Sequence, residues 1–233
     1  MTEHARLDPD TGGLLLSDRA WRAVLAIGAD GEAEDVDAGV LEALEALDLV
    51  REEQLDLMLA RAVQAIGNPL AELTARRRGL ELSGWIDAEA AVLLVPRGAE
   101  LSELSVVAAR YLPELLARLL ELGPRPAPVG GETSATPGAL AQVMGAGGAP
   151  SPVAGLPPVR DHWELEISAS GPLRHRERLE VADTEDGLRL LVPEGEAVRL
   201  VPATPSQVWR LLTGLVTRSC AKDARQRPPG AGG

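Results

Sequence analysis

Leu93-Leu94-Val95-Pro96-Arg97-Gly98 is answered later in the chain by Leu190-Leu191-Val192-Pro193-Glu194-Gly195. Each block is an apolar run closed by proline and glycine, the punctuation of a strand entering a turn. A second apolar stretch follows each, and then an amphipathic segment with a proline near its start. Pro113 precedes Leu116-Ala117-Arg118-Leu119-Leu120, and Pro205 precedes Val208-Trp209-Arg210-Leu211-Leu212. Proline suits the first turn of a helix because that turn's N–H groups have no intrahelical acceptor. The spacing between block and helix differs by five residues in the two copies. A four-residue match is cheap in a leucine-rich chain, but the order strand, turn, strand, proline-opened helix is harder to meet twice. It indicates an internal duplication. Such a duplication predicts two half-sheets joined edge to edge into one antiparallel sheet about a pseudo-twofold axis, with helices on one side.

Around the first block, the patterning predicts strands near 70–76, 79–87, 90–95 and 100–107. Arg76, Arg77, Arg78 and Gly79 form a charged turn between the first two. Leu112, Leu115, Leu116, Leu119 and Leu120 then make the stripe of a helix opened by Pro113. Upstream, Val40, Leu41, Leu44 and Leu47 recur at helical spacing, as do Leu55, Met58, Leu59, Ala62, Val63 and Ile66. These predict helices over 38–47 and 52–66, the second stopped by Gly67 and Pro69. Leu14-Leu15-Leu16 predicts a short strand, and Ser17 with Asp18 predicts a capped helix over 18–27. Asp30 to Asp37 holds five acids in eight residues. It lacks the glycine at the sixth position that a calcium loop needs and is expected to be a solvated acidic loop.

Between the two copies, residues 123–158 contain eight prolines and eight glycines in 36 positions. This is expected to be a linker or long loop with one helical turn over 138–144, dividing the halves. Strands follow near 162–169, 174–183, 187–192 and 197–201. A closing helix over 205–216 is capped by Thr204, opened by Pro205, and buried through Val208, Leu211, Leu212 and Leu215. The expected organisation is a flexible N-terminus over 1–11, an N-terminal α+β half over 12–122, and a Pro/Gly-rich loop over 123–160. A C-terminal α+β half over 161–217 and a disordered tail over 218–233 complete it.

Composition narrows the function. The chain has 233 residues, 35 Asp and Glu against 23 Lys and Arg, and a net charge of −12. Nucleic-acid binding needs a basic surface, and the overall sign opposes it. No apolar run is long enough to insert in a membrane, the N-terminus does not read as a secretory signal, and Cys220 is a single cysteine. A cytoplasmic protein is expected. With no Phe and one Tyr, the core must be aliphatic, with Trp21, Trp85, Trp163 and Trp209 as its main aromatic mass. Trp209 stands beside the Val208–Leu212 stripe and is expected to be partly exposed, as interface aromatics are.

The chemistry of sites is sparse. His4, His162 and His175 are the only histidines, and HExxH, CxxC and GxSxG are absent. Gly145–Gly148 lacks the Lys-Ser/Thr of a phosphate loop. No catalytic residue, metal or cofactor is expected, and the protein is not expected to be an enzyme. Asp183, Glu185 and Asp186 fit a turn before Gly187 better than an acid–base pair. Arg174, Arg176 and Arg178, around His175, share one face of a strand. They form either a solvent-facing edge or a docking surface for an acidic partner.

Certain stretches are familiar together. Residues 40–96 run as two amphipathic helices linked through Asp48-Leu49-Val50, then successive strands. Residues 178–215 include Asp183-Thr184 with Gly187, a strand ending Val201-Pro202-Ala203-Thr204-Pro205, and a closing helix. This pattern, over about 13–122 and 162–216, resembles the EspG family of actinobacterial type VII secretion chaperones, and the Arg-rich, Lys-poor composition is compatible with such a source. The resemblance implies an α+β, pseudo-twofold fold, with a central antiparallel sheet flanked by helices and the second helical bundle reduced. It implies a cytoplasmic, non-enzymatic chaperone or adaptor that binds helical secretion substrates of PE/PPE or related ESX type and keeps them soluble for export. The alternative is a non-secretory interaction domain or homodimeric scaffold of the same fold, so the chain is expected as a monomer or homodimer. The family's partner-binding loop between its second and third strands maps onto Arg76, Arg77, Arg78 and Gly79. Trp209 joins them as a candidate partner-binding residue.

Overall fold

The computed structural model describes residues 4–30, 36–52, 54–145, 153–170 and 175–224. The chain opens with β1 (Ala5–Leu7), β2 (Leu14–Ser17), α1 (Asp18–Asp30) and α2 (Ala38–Glu45). A small hairpin, β3 (Val50–Arg51) and β4 (Gln54–Leu55), precedes α3 (Leu57–Gly67). The first four-stranded run is β5 (Ala71–Arg77), β6 (Leu80–Ile86), β7 (Ala90–Arg97) and β8 (Leu101–Ala108), closed by α4 (Leu112–Leu119). After β9 (Thr133–Ala135) and α5 (Pro137–Gly145) comes the second: β10 (Val159–Ala169), β11 (Arg176–Thr184), β12 (Gly187–Glu194) and β13 (Ala197–Ala203). It is closed by α6 (Pro205–Ala224).

Among the described residues, eleven strands form one sheet in the order β1-β2-β8-β7-β6-β5-β10-β11-β12-β13-β9, and every neighbouring pair is antiparallel. The two meanders meet at β5 and β10, with Leu73 opposite Ile167 and Ala75 opposite Leu165. On each side of this seam the order is mirrored: β5 to β8 and then β2 on one side, β10 to β13 and then β9 on the other. Both repeated blocks end their strands in turns through a glycine with positive φ, Gly98 at 85° and Gly195 at 62°. That left-handed conformation is open to glycine at little steric cost. The duplication legible in the sequence is thus a topological one.

Side-chain alternation along the strands sends the core to both faces. Leu73, Ala75, Leu93, Val95, Leu165, Ile167, Val181 and Leu188 pack with Leu112 and Leu116 of α4 and Val208, Leu212 and Leu215 of α6. Their sequence neighbours on the other face, Val92 and Leu94, pack with Ala20, Val24, Leu44, Leu59 and Ala62 of α1 to α3. Ala182, Leu191 and Leu200 pack with Leu140 and Val143 of α5. Helices therefore cover both faces, where the duplication alone suggested one. A half-sheet this apolar on both faces would otherwise leave Val92 or Leu191 in water.

Several local expectations change. The helix expected over 52–66 begins at Leu57, because Asp56 caps it by accepting the Leu59 N–H at 2.9 Å. Before it, Asp48 and Glu52 take positive φ values of 57° and 49°, and the chain turns into the β3–β4 hairpin. The first helix runs on to Asp30, and Ser17 caps it through the Ala20 N–H. Most of the acidic loop at 30–37 lies outside the described residues, although Asp37 caps α2. Within 1–11, Ala5–Leu7 pairs with β2. The closing helix runs to Ala224 rather than 216. Residues 225–233 and Arg174 lie outside the described residues.

The Pro/Gly-rich segment departs furthest from a plain linker. Thr133–Ala135 pairs with β13 at the sheet edge, and α5 covers the face beneath. Together they occupy, in the C-terminal half, the topological place that β2 and α1 to α3 occupy in the other. The stretch leading to them straddles the β11–β12 turn. Arg125 Nε donates to Asp183 Oδ2 at 2.7 Å on the α4–α6 side. At the turn, Gly187 leaves no room for a side chain: a Cβ there would lie 2.9 Å from the Pro126 carbonyl oxygen. On the α5 side, Arg189, 2% exposed, donates to the Val129 and Gly131 carbonyls at 2.9 and 3.0 Å. Thr184 Oγ1 donates to the Gly187 carbonyl at 2.7 Å and closes the turn. The Asp183, Thr184 and Gly187 positions are the anchor of this strap, and Asp183 is a buried ion-pair partner rather than half of an acid–base couple.

Candidate functional site

The face of the sheet between the α1–α3 bundle and α5 is polar at the seam. Alternation brings Glu72, Thr74 and Arg76 of β5 and Glu81 and Ser83 of β6 to this face. It does the same for His162, Glu164, Glu166 and Ser168 of β10 and Arg176, Arg178 and Glu180 of β11. The charges are matched across strands. Arg76 meets Glu81 at 3.1 Å, Arg178 bridges Glu164 at 3.0 Å and Glu180 at 2.7 Å, and Arg176 pairs with Glu166. Arg176 and Arg178 are therefore ion-paired within the sheet while half or more of each side chain stays exposed. Burial raises the Glu180 carboxyl's pKa, but the His162 hydrogen bond and Arg178 outweigh it and leave Glu180 below the ordinary carboxylate value.

The Arg76–Gly79 turn divides its three arginines. Arg76 lies on this polar face with Glu81. Arg77 points to the other side, where it holds Asp161 of β10 and Glu121 just after α4, with its side chain only 19% exposed. It ties the seam to α4. Arg78 is exposed, and Gly79 makes the turn at φ 71°. At this end of the seam a cleft of about 270 Å³ opens between β5, the start of β10 and the end of α5. Arg76, Arg78, Arg160, His162, Met144 and Val159 are among its lining residues. Arg160, His162 and Met144 escaped the sequence reading: they are far from the arginine triplet in the chain, and only strand pairing brings them to it.

Trp209 is half-buried on α6 and faces a different cleft. It lines an open groove of about 650 Å³ with Leu122, Pro124, Arg125, Pro205 and Arg210. A neighbouring depression of about 390 Å³ shares Arg210 and adds Leu190, Val201 and Leu211. Leu211, expected in the core, is 41% exposed here, while Val208, Leu212 and Leu215 are buried. The structure thus separates the arginine turn and Trp209: they line clefts that share no residue, on opposite faces of the sheet. Among the described residues no group of three or more His, Cys, Asp or Glu side chains stands together as a metal set. No described helix is long and apolar enough to cross a membrane.

No family model and no curated protein matches the chain. Solved structures do. The type VII secretion system chaperone EspG5 of Mycobacterium tuberculosis, in complex with the PE25–PPE41 dimer, superposes with a TM-score of 0.58. The match covers 88% of this chain and 96% of that one. The fold is EspG-like. The sequences are 10% identical over this match, so the likeness speaks for the architecture alone. It agrees with the resemblance carried by the helices, strands and closing helix of the two halves.

Proposed function

We propose that this chain is a cytoplasmic, non-enzymatic chaperone or adaptor of type VII (ESX) secretion. It binds helical substrates of PE/PPE or related type and keeps them soluble for export. The observation that carries this reading is the EspG-like fold across 88% of the chain, shared with a chaperone solved in complex with a PE–PPE dimer. The turn at Arg76, Arg78 and Gly79, steadied by Arg77, and the groove at Trp209 are its partner-binding surfaces. The single helix α5, where the other half carries three, narrows the surface that this half offers a client.

The test is co-expression of the tagged chain with PE–PPE pairs from its own genome. A pair that is insoluble alone and elutes with the chain as a stoichiometric complex supports the reading. A chain that leaves every such pair insoluble overturns it. The second reading, a homodimeric scaffold, draws on the partly exposed Trp209 and Leu211 beside α6. It predicts a dimeric mass by light scattering, reverting to monomer in Trp209→Ala.

A further inference from the structure

We infer that the cleft at the end of the β5–β10 seam is a carboxylate-recognition site for a short acidic segment of a partner protein, read by Arg78 and Arg160. The inference deepens the partner-binding reading of the arginine turn and rests on it for the kind of ligand. It starts from the charge pattern of the polar sheet face at the seam. Arg76, Arg176 and Arg178 each have a carboxylate at hydrogen-bond distance, and His162 has Glu180 at 2.8 Å. Arg77 holds two. The two acids on the cleft wall are both engaged, Glu164 by Arg178 and Asp161 by Arg77.

Arg78 and Arg160 break this pattern. Both are exposed, both line the same cleft, and neither has an acidic partner among the described residues. They approach because β5 and β10 are antiparallel, which brings the end of one strand to the start of the other. In a chain of net charge −12, two unmatched guanidinium groups on one small cleft are a local reversal of sign. A guanidinium presents a planar fork of N–H donors that matches a carboxylate in bidentate geometry. The remaining wall includes Met144, half-buried, and Val159, buried. A thioether and an isopropyl group offer an apolar neighbour its contact. The matching ligand is an Asp- or Glu-bearing turn with an aliphatic residue beside the acid. Complementary charge would orient it against an otherwise acidic surface.

The test uses the full chain with arginine Nε–H NMR signals as readout. The probe is the capped peptide Gly-Glu-Leu-Asp-Gly, with Gly-Gln-Leu-Asn-Gly and inorganic phosphate as separate arms. The acidic peptide is expected to shift the Arg78 and Arg160 signals, and R78S/R160S to weaken its binding by about tenfold or more. R22S, which removes the same kind of charge from an exposed position on α1, should leave it unchanged. Equal binding of the neutral peptide, an equal response to phosphate alone, or indifference to R78S/R160S would each overturn the inference. Both arginines are exposed and have no acidic partner among the described residues, so the double variant should fold, and an unchanged melting temperature checks that. The two readings fail separately. Arg78- and Arg160-dependent peptide binding in a chain that solubilises no PE–PPE pair would refute the secretion role and leave this site standing. A client held equally well by the wild type and R78S/R160S, with no peptide binding, would refute this site alone.

Discussion

Asp183, the last residue but one of β11, has 8% of its side chain exposed and Arg125 as its counter-ion. Its loss leaves Arg125, 26% exposed and still donating to the Pro124 and Glu121 carbonyls, without a counter-ion. Asp183→Ala is therefore expected to lower the free energy of unfolding by about 2 kcal/mol, measured by urea denaturation. Arg78→Ser, which touches no described acid, should stay within about 0.5 kcal/mol of the wild type. A result in which both variants cost the same would contradict the strap. Glu180 supplies a pH test. Its folded-state pKa lies below the ordinary value of 4.5, with His162 and Arg178 outweighing desolvation. A depressed carboxyl binds protons less readily when folded, so its contribution is present above the unfolded-state value and is lost as pH falls through the folded one. Stability curves of the wild type and Glu180→Gln should thus lie apart at neutral pH and converge on the acid side of 4.5. Parallel curves would remove Glu180 from the acid response.

At the scale of elements, two glycines show how the helices and strands fit. In β6, Gly84 lies between Leu73 and Leu93. An added Cβ would meet Leu93 Cδ2 at 2.4 Å, Leu73 Cγ at 2.9 Å and the Val92 carbonyl oxygen at 2.9 Å. Overpacking of this kind costs about 1–3 kcal/mol, so Gly84→Ala should lower the melting temperature. Gly138 of α5 has nothing within 4 Å of such a Cβ. Gly138→Ala should raise stability by about 0.5 kcal/mol, through helix propensity and a less mobile unfolded chain. A gain at Gly84 would mean that β6 and its neighbours are less tightly closed than the structure has them. Most elements were legible in the sequence because each carries its own period and punctuation: Ser17, Thr204, Pro205 and Gly67 mark helix ends wherever the chain goes. The start of α3 was not. Leu55 fits the helical stripe as well as Leu59 does, and only the turn at Glu52 and the cap at Asp56 exclude it.

For the whole molecule, the seam between β5 and β10 and the shared core beneath it make the two halves depend on one another. Leu212 of α6 is fully buried in the same cluster as Leu73 and Leu93 from the other half. Leu212→Ala should cost about 2–5 kcal/mol, and it should lower the stability of both halves together. Trp21 and Trp85 report on one half and Trp163 and Trp209 on the other. Variants that keep one tryptophan from each pair should melt at a common midpoint, before and after the substitution. Separate midpoints would show two independently folding units. The candidate surfaces belong to this scale too. Arg76 to Gly79 and Trp209 could be singled out as a charged turn and an aromatic on a helix. Their division between two faces, the retirement of Arg77 into an ion-pair cluster, and the arrival of Arg160, His162 and Met144 all follow from long-range pairing.

The sequence by itself determined the two meanders, the proline-opened helix after each, the duplication that relates them, and the aliphatic character of the core. Those properties are periodic or local, so a strand or cap announces itself within a few residues. Tertiary structure alone decided that the expected edge-to-edge joint falls between β5 and β10, and that helices cover both faces. It also decided that the Pro/Gly-rich segment supplies an edge strand, and that the helical turn expected over 138–144 becomes α5 packed on the sheet. Thr133–Ala135 is too short and too polar to declare itself, and it is a strand because β13 has an edge to pair and Leu191 and Leu200 have a face to cover. Such demands come from residues distant in the chain, and no local pattern records them.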